Sequence, residues 1–507
     1  MDRRQFLVAS TTGLAGLSTP SLGIPSIAQG MAVPTTTRSG GKAKSTILFF
    51  LCGGASHIDM WDLKPDAPRE YRGPFLPIET SAPGVRLSEH LPLLSKQARH
   101  LAVVNSIDGT VNTNDHHAGY YHNLTGHVPD QSFVTLGNNR TPFKDDWPFM
   151  GSVIGSRVAQ NKFLPNTISL PHMPSKAPYT RPGQFSARLG VRHDPLYIHA
   201  QAKDPLTFEA PSLILEGGIT SDRMTQRYGL LEQIDSIQRQ LEGRAIDDLS
   251  TNQERALSLL LSSQATEAFQ LSDEPESVRQ RYGETVNGMS LLLARRLVEA
   301  EVPFITVFWK EREGELAKKC ASAGGWDTHG NNFACLKDDL LPEFDRCFSA
   351  LIEDLAERNL LEETLLMVTS EMGRKPRIGD PRSGGESGAG RDHWTYCLTD
   401  ILAGGGIQGG QTYGTSDRYA EHPKDKPITP AHIAKTVYPL DGHRRSFRRG
   451  RRGTPLQLAR RRRGSAQLVL RLVLLDRPDS IPAPRLAVPA RLFRADTHNL
   501  ESTRTSW

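Results

Sequence analysis

Four short apolar runs punctuate the chain, at residues 45–52, 101–105, 304–309 and 364–370. Each is too short for a helix and lacks polar alternation, which is the pattern of a strand buried on both faces. Between the runs the period changes. Residues 88–100 are amphipathic, and from 222 to about 299 Leu, Ile and Val recur every three or four positions among Gln, Arg and Glu. Residues 332–358 read as one long amphipathic helix. Strands alternating with helices predict an α/β fold with a mostly parallel sheet flanked by helices on both faces. No run of eighteen apolar residues occurs, so no transmembrane span is expected. No internal repeat is visible.

The two ends do not follow this pattern. The chain opens Met-Asp-Arg-Arg-Gln-Phe-Leu, with Arg3 and Arg4 paired ahead of a weakly apolar stretch and small residues such as Ser26 and Ala28. That is the anatomy of an export signal over residues 1–30, and the arginine pair resembles the twin-arginine type, which carries folded proteins out of the cytoplasm. Partnership with the twin-arginine export machinery and a periplasmic or cell-surface location follow as expectations. Residues 31–44, rich in Thr, Gly, Ser and Lys, suit a linker. After Tyr438 arginines crowd together and lysine vanishes. Residues 439–507 are read either as a basic tail or as the product of a shifted reading frame, with the frame shift preferred.

The formal charge of +5 changes little, because the basic excess lies in that tail, and no nucleic-acid partner is expected. Hydrophobic and charged fractions of 37% and 23% are those of a globular protein. Five cysteines without CxxC spacing argue against a disulfide framework or zinc ribbon, and all five are read as packing residues.

Candidate chemistry gathers at five places. The first run leads into Gly53-Gly54-Ala-Ser-His57-Ile-Asp59-Met-Trp-Asp62. Ligands of open α/β sheets bind beyond the carboxyl ends of strands, where these residues fall. A polar stretch follows the second run, with Thr113, His116, His117, His122 and His127. In Gly325-Trp326-Asp327-Thr328-His329, residues two apart in extended chain point the same way, so Asp327 and His329 can grip one ion. Glu371 closes the fourth run ahead of Met372-Gly373-Arg374, and Gly390-Arg391-Asp392-His393-Trp394 lies among glycines. A lone His or Asp in a loop is more often a cap or turn residue. Carboxylates and imidazoles together are what a divalent transition metal requires.

"GGASHIDMWD", "GGWDTHG", "TSEMGR" and "GRDHW" together resemble the DUF1501 family over roughly residues 45–438, and through it the alkaline phosphatase and sulfatase superfamily. The resemblance implies an alkaline-phosphatase-like core, with the helical stretch 222–299 inserted. It also implies a divalent metal (zinc, calcium or manganese) held by Asp59 (or Asp62), Asp327, His329, Glu371 and His393. Met372 stands where that superfamily carries a further His, so the number of ions is one or two. Leu124-Thr125-Gly126 echoes a sulfatase motif, and counting back places His116 at the nucleophile's position. With no Cys nearby, Thr113 or a metal-held water is the expected attacker. His116, His117 or His122 serves as a proton donor or metal ligand, and Arg374 or Arg391 neutralises the anion.

The expected function is hydrolysis of a phosphate or sulfate ester, small or polysaccharide-borne. The rival is a non-catalytic binding protein that kept the fold and lost the nucleophile. A third possibility, nucleic-acid binding through the arginine tail, depends on residues 439–507 being in frame.

Overall fold

The computed structural model describes residues 43–111, 113–159, 161, 164–175, 177–201, 203–209, 267–312, 325–379 and 390–440. The export signal, most of the linker, the first half of the 222–299 stretch and nearly all of the tail lie outside them.

Eight strands form one sheet: β1 (Ser45–Phe50), β2 (Leu101–Ile107), β3 (Thr167–Leu170), β4 (Leu196–Tyr197), β5 (Phe304–Phe308), β6 (Thr364–Thr369), β7 (Leu398–Gly404) and β8 (Gln411–Tyr413). Their order is β8-β2-β7-β6-β1-β5-β3-β4. The first apolar run of the chain lies centrally, with β1 parallel to β6 on one side and to β5 on the other. Of the eight, β7 alone runs against its neighbours β6 and β2. All four apolar runs are strands. The other four escape a reading by apolar run because they are two to four residues long or, in β7, interrupted by Thr399 and Asp400.

Alternation along β1 divides the core into two layers, as strand geometry demands. Ile47, Phe49 and Leu51 belong to one apolar cluster, and Leu48, Phe50 and Cys52 to the other. The first cluster is covered by α2 (Val286–Glu299) and α3 (Leu341–Glu357), where Phe49 stacks on Phe344 at 5.8 Å. The second is covered by α1 (His116–Thr125) and α4 (Pro430–Leu440), which supply Tyr120, Leu124, Ile433 and Val437. The chain is therefore an α/β protein with its sheet flanked on both faces.

Two departures have local causes. The helix expected over 332–358 is a short α segment, a π turn at Leu336–Leu340 and then α3. Pro342 stands in the first turn of α3, and its missing N–H cannot continue the ordinary ladder. Within 222–299, the described part is two helices, Glu276–Tyr282 and α2, separated at Gly283 with φ +80°. A correction concerns the cysteines. Cys52, Cys347 and Cys397 are free and buried, as packing residues should be, but Cys335 is disulfide-bonded. Spacing could not reveal it, because a bond between residues brought together by folding needs no CxxC motif.

One buried carboxylate sets a pH dependence on the sheet itself. Asp400 in β7 accepts a 2.5 Å hydrogen bond from the Thr369 hydroxyl, and burial pushes its carboxyl up to about 7. A folded pKa above the unfolded value means the neutral form is favoured, so this contribution is complete below pH 4 and lost as pH rises through 7. Asp400→Asn should leave the melting temperature near wild type at pH 3.5 and gain on it progressively as pH rises from about 4 to 7. It should raise it at pH 8.5, by the equivalent of a few kcal/mol as an order of magnitude. Parallel melting curves for the two proteins across that range are the check.

Candidate metal centre

Because β1 and β6 run parallel, their carboxyl ends open at the same edge of the sheet, and two glycine-rich turns meet there. Gly53 leaves β1 with φ +121°, and a Cβ on it would lie 2.3 Å from the Asp327 nitrogen. Trp326 N–H donates to the Cys52 carbonyl at 3.1 Å, tying the 325–330 loop to the end of β1. A Cβ on Gly390 would collide with the His329 carbonyl, so the 390–393 segment also needs a bare backbone. These contacts, with the Gly53 N–H donating to Glu371 Oε1 at 2.9 Å, bring residues 327–329, 371 and 391–393 together beside the end of β1.

Asp327 is the hub. His116 Nε2 lies 3.3 Å from its Oδ2, while His329 Nε2 and His393 Nε2 lie 3.0 and 3.3 Å from its Oδ1. The last two ring nitrogens are only 3.0 Å apart. Each imidazole is oriented from behind. His116 Nδ1 reaches Glu371 Oε1 at 2.8 Å, His329 Nδ1 reaches Asp392 Oδ1 at 3.3 Å, and His393 Nδ1 reaches the Asn114 carbonyl at 3.2 Å. A carbonyl only accepts, so His393 Nδ1 carries the proton and Nε2 keeps its lone pair. An oxygen likewise backs Nδ1 of the other two rings, leaving Nε2 of each toward Asp327. Oxygen behind Nδ1 and a free lone pair at Nε2 is the arrangement that fixes metal-ligating histidines.

The donor set fits a divalent ion. Ligand atoms about 2.1 Å from a tetrahedral ion are about 3.4 Å from one another, near the 3.0–3.3 Å spacings observed. Among the described residues, two groups have their ligand atoms close enough for one ion: His116, Asp327 and His393, and, sharing His393, His329, Asp392 and His393. Electrostatics points the same way. Burial opposes charge on Asp327, but the Arg374 guanidinium and the three histidines hold its carboxyl far below the usual range. Asp327 and Asp392 raise His329 to about 9, and that histidine in turn lowers Asp392 to about 2. For His116, burial is outweighed by hydrogen bonds to Asp327 and Glu371, and its pKa rises. The cluster thus attracts positive charge, as protons or as a metal ion that displaces them.

Helix α1 delivers His116. Asp115 caps it by accepting from the Ala118 N–H at 3.1 Å, and Gly126 ends it in the left-handed region, so Leu124-Thr125-Gly126 is the helix stop. The helix lies against the turn after β6, where Asn123 Nδ2 donates to the Glu371 carbonyl at 2.9 Å. A Cβ on Gly119 would come within 2.4 Å of that carbonyl. Gly119→Ala should therefore lift α1 away from Glu371. Expected losses are about tenfold or more in metal affinity and about 1–3 kcal/mol in stability, read by metal titration and denaturant unfolding.

Other expected site residues lie elsewhere in the arrangement. Glu371 stands behind His116, with its carboxylate also accepting from Gly53 N at 2.9 Å and Ser370 Oγ at 3.1 Å. Asp59 is not among the clustered ligands. It forms a two-pronged pair with Arg391 at 2.7 and 2.9 Å and accepts from Asn332 and Ser56 at 2.9 and 2.6 Å. Asp62 is bound by Lys64 at 2.7 Å and by Ser416. Arg374 and Arg391, expected to face an anion, are fully buried. Arg374 is engaged by Asp327 and by the carbonyls of Gly53, Gly54 and Trp326, and Arg391 by Asp59 and the Tyr71 carbonyl. The Thr113 hydroxyl is buried and, among the described residues, hydrogen-bonds to no base. His122 Nδ1 meets the Gly109 carbonyl at 3.3 Å, away from the cluster. Asp392 and Asn114 were not anticipated. Asp392 was legible only as the neighbour of His393, whereas Asn114 acts through its backbone carbonyl and carries no side-chain signal.

Solved structures with a similar course of chain include the PsFucS1 sulfatase from Pseudoalteromonas sp., at 13% identity and TM-score 0.36, covering 80% of this chain and 68% of that one. Another is the phosphonate monoester hydrolase SpPMH from Silicibacter pomeroyi, at 11% and 0.37, covering 78% and 73%. A third is the alkaline phosphatase of the Antarctic bacterium TAB5, at 11% and 0.35, covering 80% and 99%. No curated protein matches the sequence. The family model that does match spans residues 43–463, taking in the whole sheet, both glycine turns and every member of the His–Asp cluster. The chain belongs to that family, DUF1501, described as a protein of unknown function.

Proposed function

We propose that this protein is an exported, metal-dependent hydrolase of phosphate or sulfate esters. The supporting observation is the convergence of three Nε2 atoms on one buried carboxylate, each ring held from behind by an oxygen. His116, Asp327, His329 and His393 would hold the ion, with Glu371, Asp392 and the Asn114 carbonyl orienting them. A divalent ion bound there supplies Lewis acidity toward an ester oxygen and lowers the pKa of a coordinated water. Arg374 fixes Asp327 and so holds the geometry rather than meeting substrate. Export through the twin-arginine route, to the periplasm or cell surface, belongs to the same reading, as does a small-molecule or polysaccharide ester as substrate.

A second reading is favoured by one observation. Among the described residues no base reaches the Thr113 hydroxyl, and a protein that kept the metal site without a nucleophile would bind rather than turn over. Elemental analysis of the exported protein, followed by assays with p-nitrophenyl phosphate and p-nitrophenyl sulfate, separates the two. Bound metal with ester turnover that chelation abolishes supports the hydrolase. Bound metal without turnover of either ester supports the binding protein. Folded protein that takes up no divalent metal overturns both.

A further inference from the structure

A cation in a mostly buried position that no carboxylate neutralises is open to an anionic ligand. Arg181 is such a cation. It is 8% exposed, yet among the described residues its guanidinium forms no ion pair and no hydrogen bond. Its guanidinium lies over the face of Tyr120, 4.8 Å from the ring centroid. Arg140, Arg295, Arg374 and Arg391, by contrast, are each buried against a carboxylate.

The position of Arg181 is built. The Gln184 side-chain amide donates to the Arg181 carbonyl at 2.8 Å and to the Pro174 carbonyl at 3.2 Å, and Gln184 accepts from the Tyr197 hydroxyl at 3.1 Å. Gly183, with φ +89°, lies so close to α1 that a Cβ would meet the Tyr121 Cα at 2.7 Å. The loop is thus seated on α1, and Tyr120 lies one helical turn beyond His116 on the same face. Arg181 is therefore a neighbour of the metal centre.

A second group there also lacks a partner. His117 is 3% exposed, and neither ring nitrogen has a hydrogen-bond partner among the described residues. It lies one helical turn before Tyr121, against whose Cα Gly183 packs, and so on the side of α1 that the Arg181 loop covers. Glu371 is already committed to Gly53, Ser370 and His116 and has no hydrogen bond with Arg181.

We infer that Arg181, with His117 beside it, is the binding site for the oxyanion of a ligand held at the metal centre, a tetrahedral phosphate or sulfate group. A guanidinium offers such an anion two parallel N–H donors, and the absence of competing carboxylate hydrogen bonds leaves them available. This assignment rests on the proposed metal centre for its location, but it concerns binding and not turnover.

The test measures inorganic phosphate and inorganic sulfate binding to the metal-loaded, full-length protein by calorimetry, with metal content determined on the same samples. Arg181→Gln should weaken the preferred anion at least tenfold at unchanged metal content. Arg181→Lys, which keeps the charge and loses the fork, should fall between, and it carries the test should the glutamine variant fail to fold. A folded variant of either kind with wild-type anion affinity overturns the inference, as does a metal-loaded wild type that binds neither anion. The two readings fail separately. Arg181-dependent anion binding without ester turnover would sink the hydrolase and keep this site. Turnover with the same KM in Arg181→Gln would keep the hydrolase and sink this site.

Discussion

Asp327→Ala is expected to abolish metal binding and to destabilise the protein by about 3–5 kcal/mol. The first effect follows because every imidazole of the cluster faces this one carboxylate, and both groups of potential ligands are held around it. The second follows because Arg374, fully buried, loses its counter-charge. The carbonyls of Gly53, Gly54 and Trp326 remain as acceptors, but they carry no charge with which to balance it. Asp327→Asn separates the two effects. It keeps an oxygen for hydrogen bonding but removes the charge, so metal should again be lost. Elemental analysis and denaturant midpoints on both variants are the measurements. Full metal content in a folded Asp327→Ala protein would falsify the hub assignment.

How far this centre was legible beforehand depends on the distance between cause and residue. The four apolar runs announced β1, β2, β5 and β6 because a strand buried on both faces needs nothing but its own composition. Asp327 and His329 were legible for a similarly local reason, a two-residue spacing beside glycines. Glu371 and His393 stood out at a strand end and in a glycine-rich loop. Asp59 illustrates what local reasoning misses. Its place after β1 suited a ligand, but its nearest cation, Arg391, is 332 positions away, and only the folded chain shows them paired. Arg374 and Arg391 show the same limit: a sequence shows a cation but not the carboxylate beside it. Arg181 drew no notice at all, since its distinguishing feature is that no carboxylate among the described residues pairs with it, and that property exists only in three dimensions.

The Asp59–Arg391 pair therefore provides the sharpest contrast with Asp327–Arg374. Both are buried carboxylate–guanidinium pairs, and removing one partner from either should cost about 3–5 kcal/mol. Only one of them faces the histidines. Asp59→Ala is expected to lose stability on that scale while the folded fraction keeps its full metal content, because Asp59 contributes no atom to the cluster. The loss should be larger than that for Asn332→Ala, which removes a single neutral donor to the same carboxylate. Replacing both partners together, Asp59→Leu with Arg391→Met, should recover much of the stability, since the cost lies in the stranded charge and not in the missing attraction. Denaturant unfolding of the three variants, with metal analysis of each, is the measurement. Metal lost from folded Asp59→Ala would return Asp59 to the ligand set and extend the centre toward the turn after β1. Metal retained would confine it to the histidines gathered around Asp327.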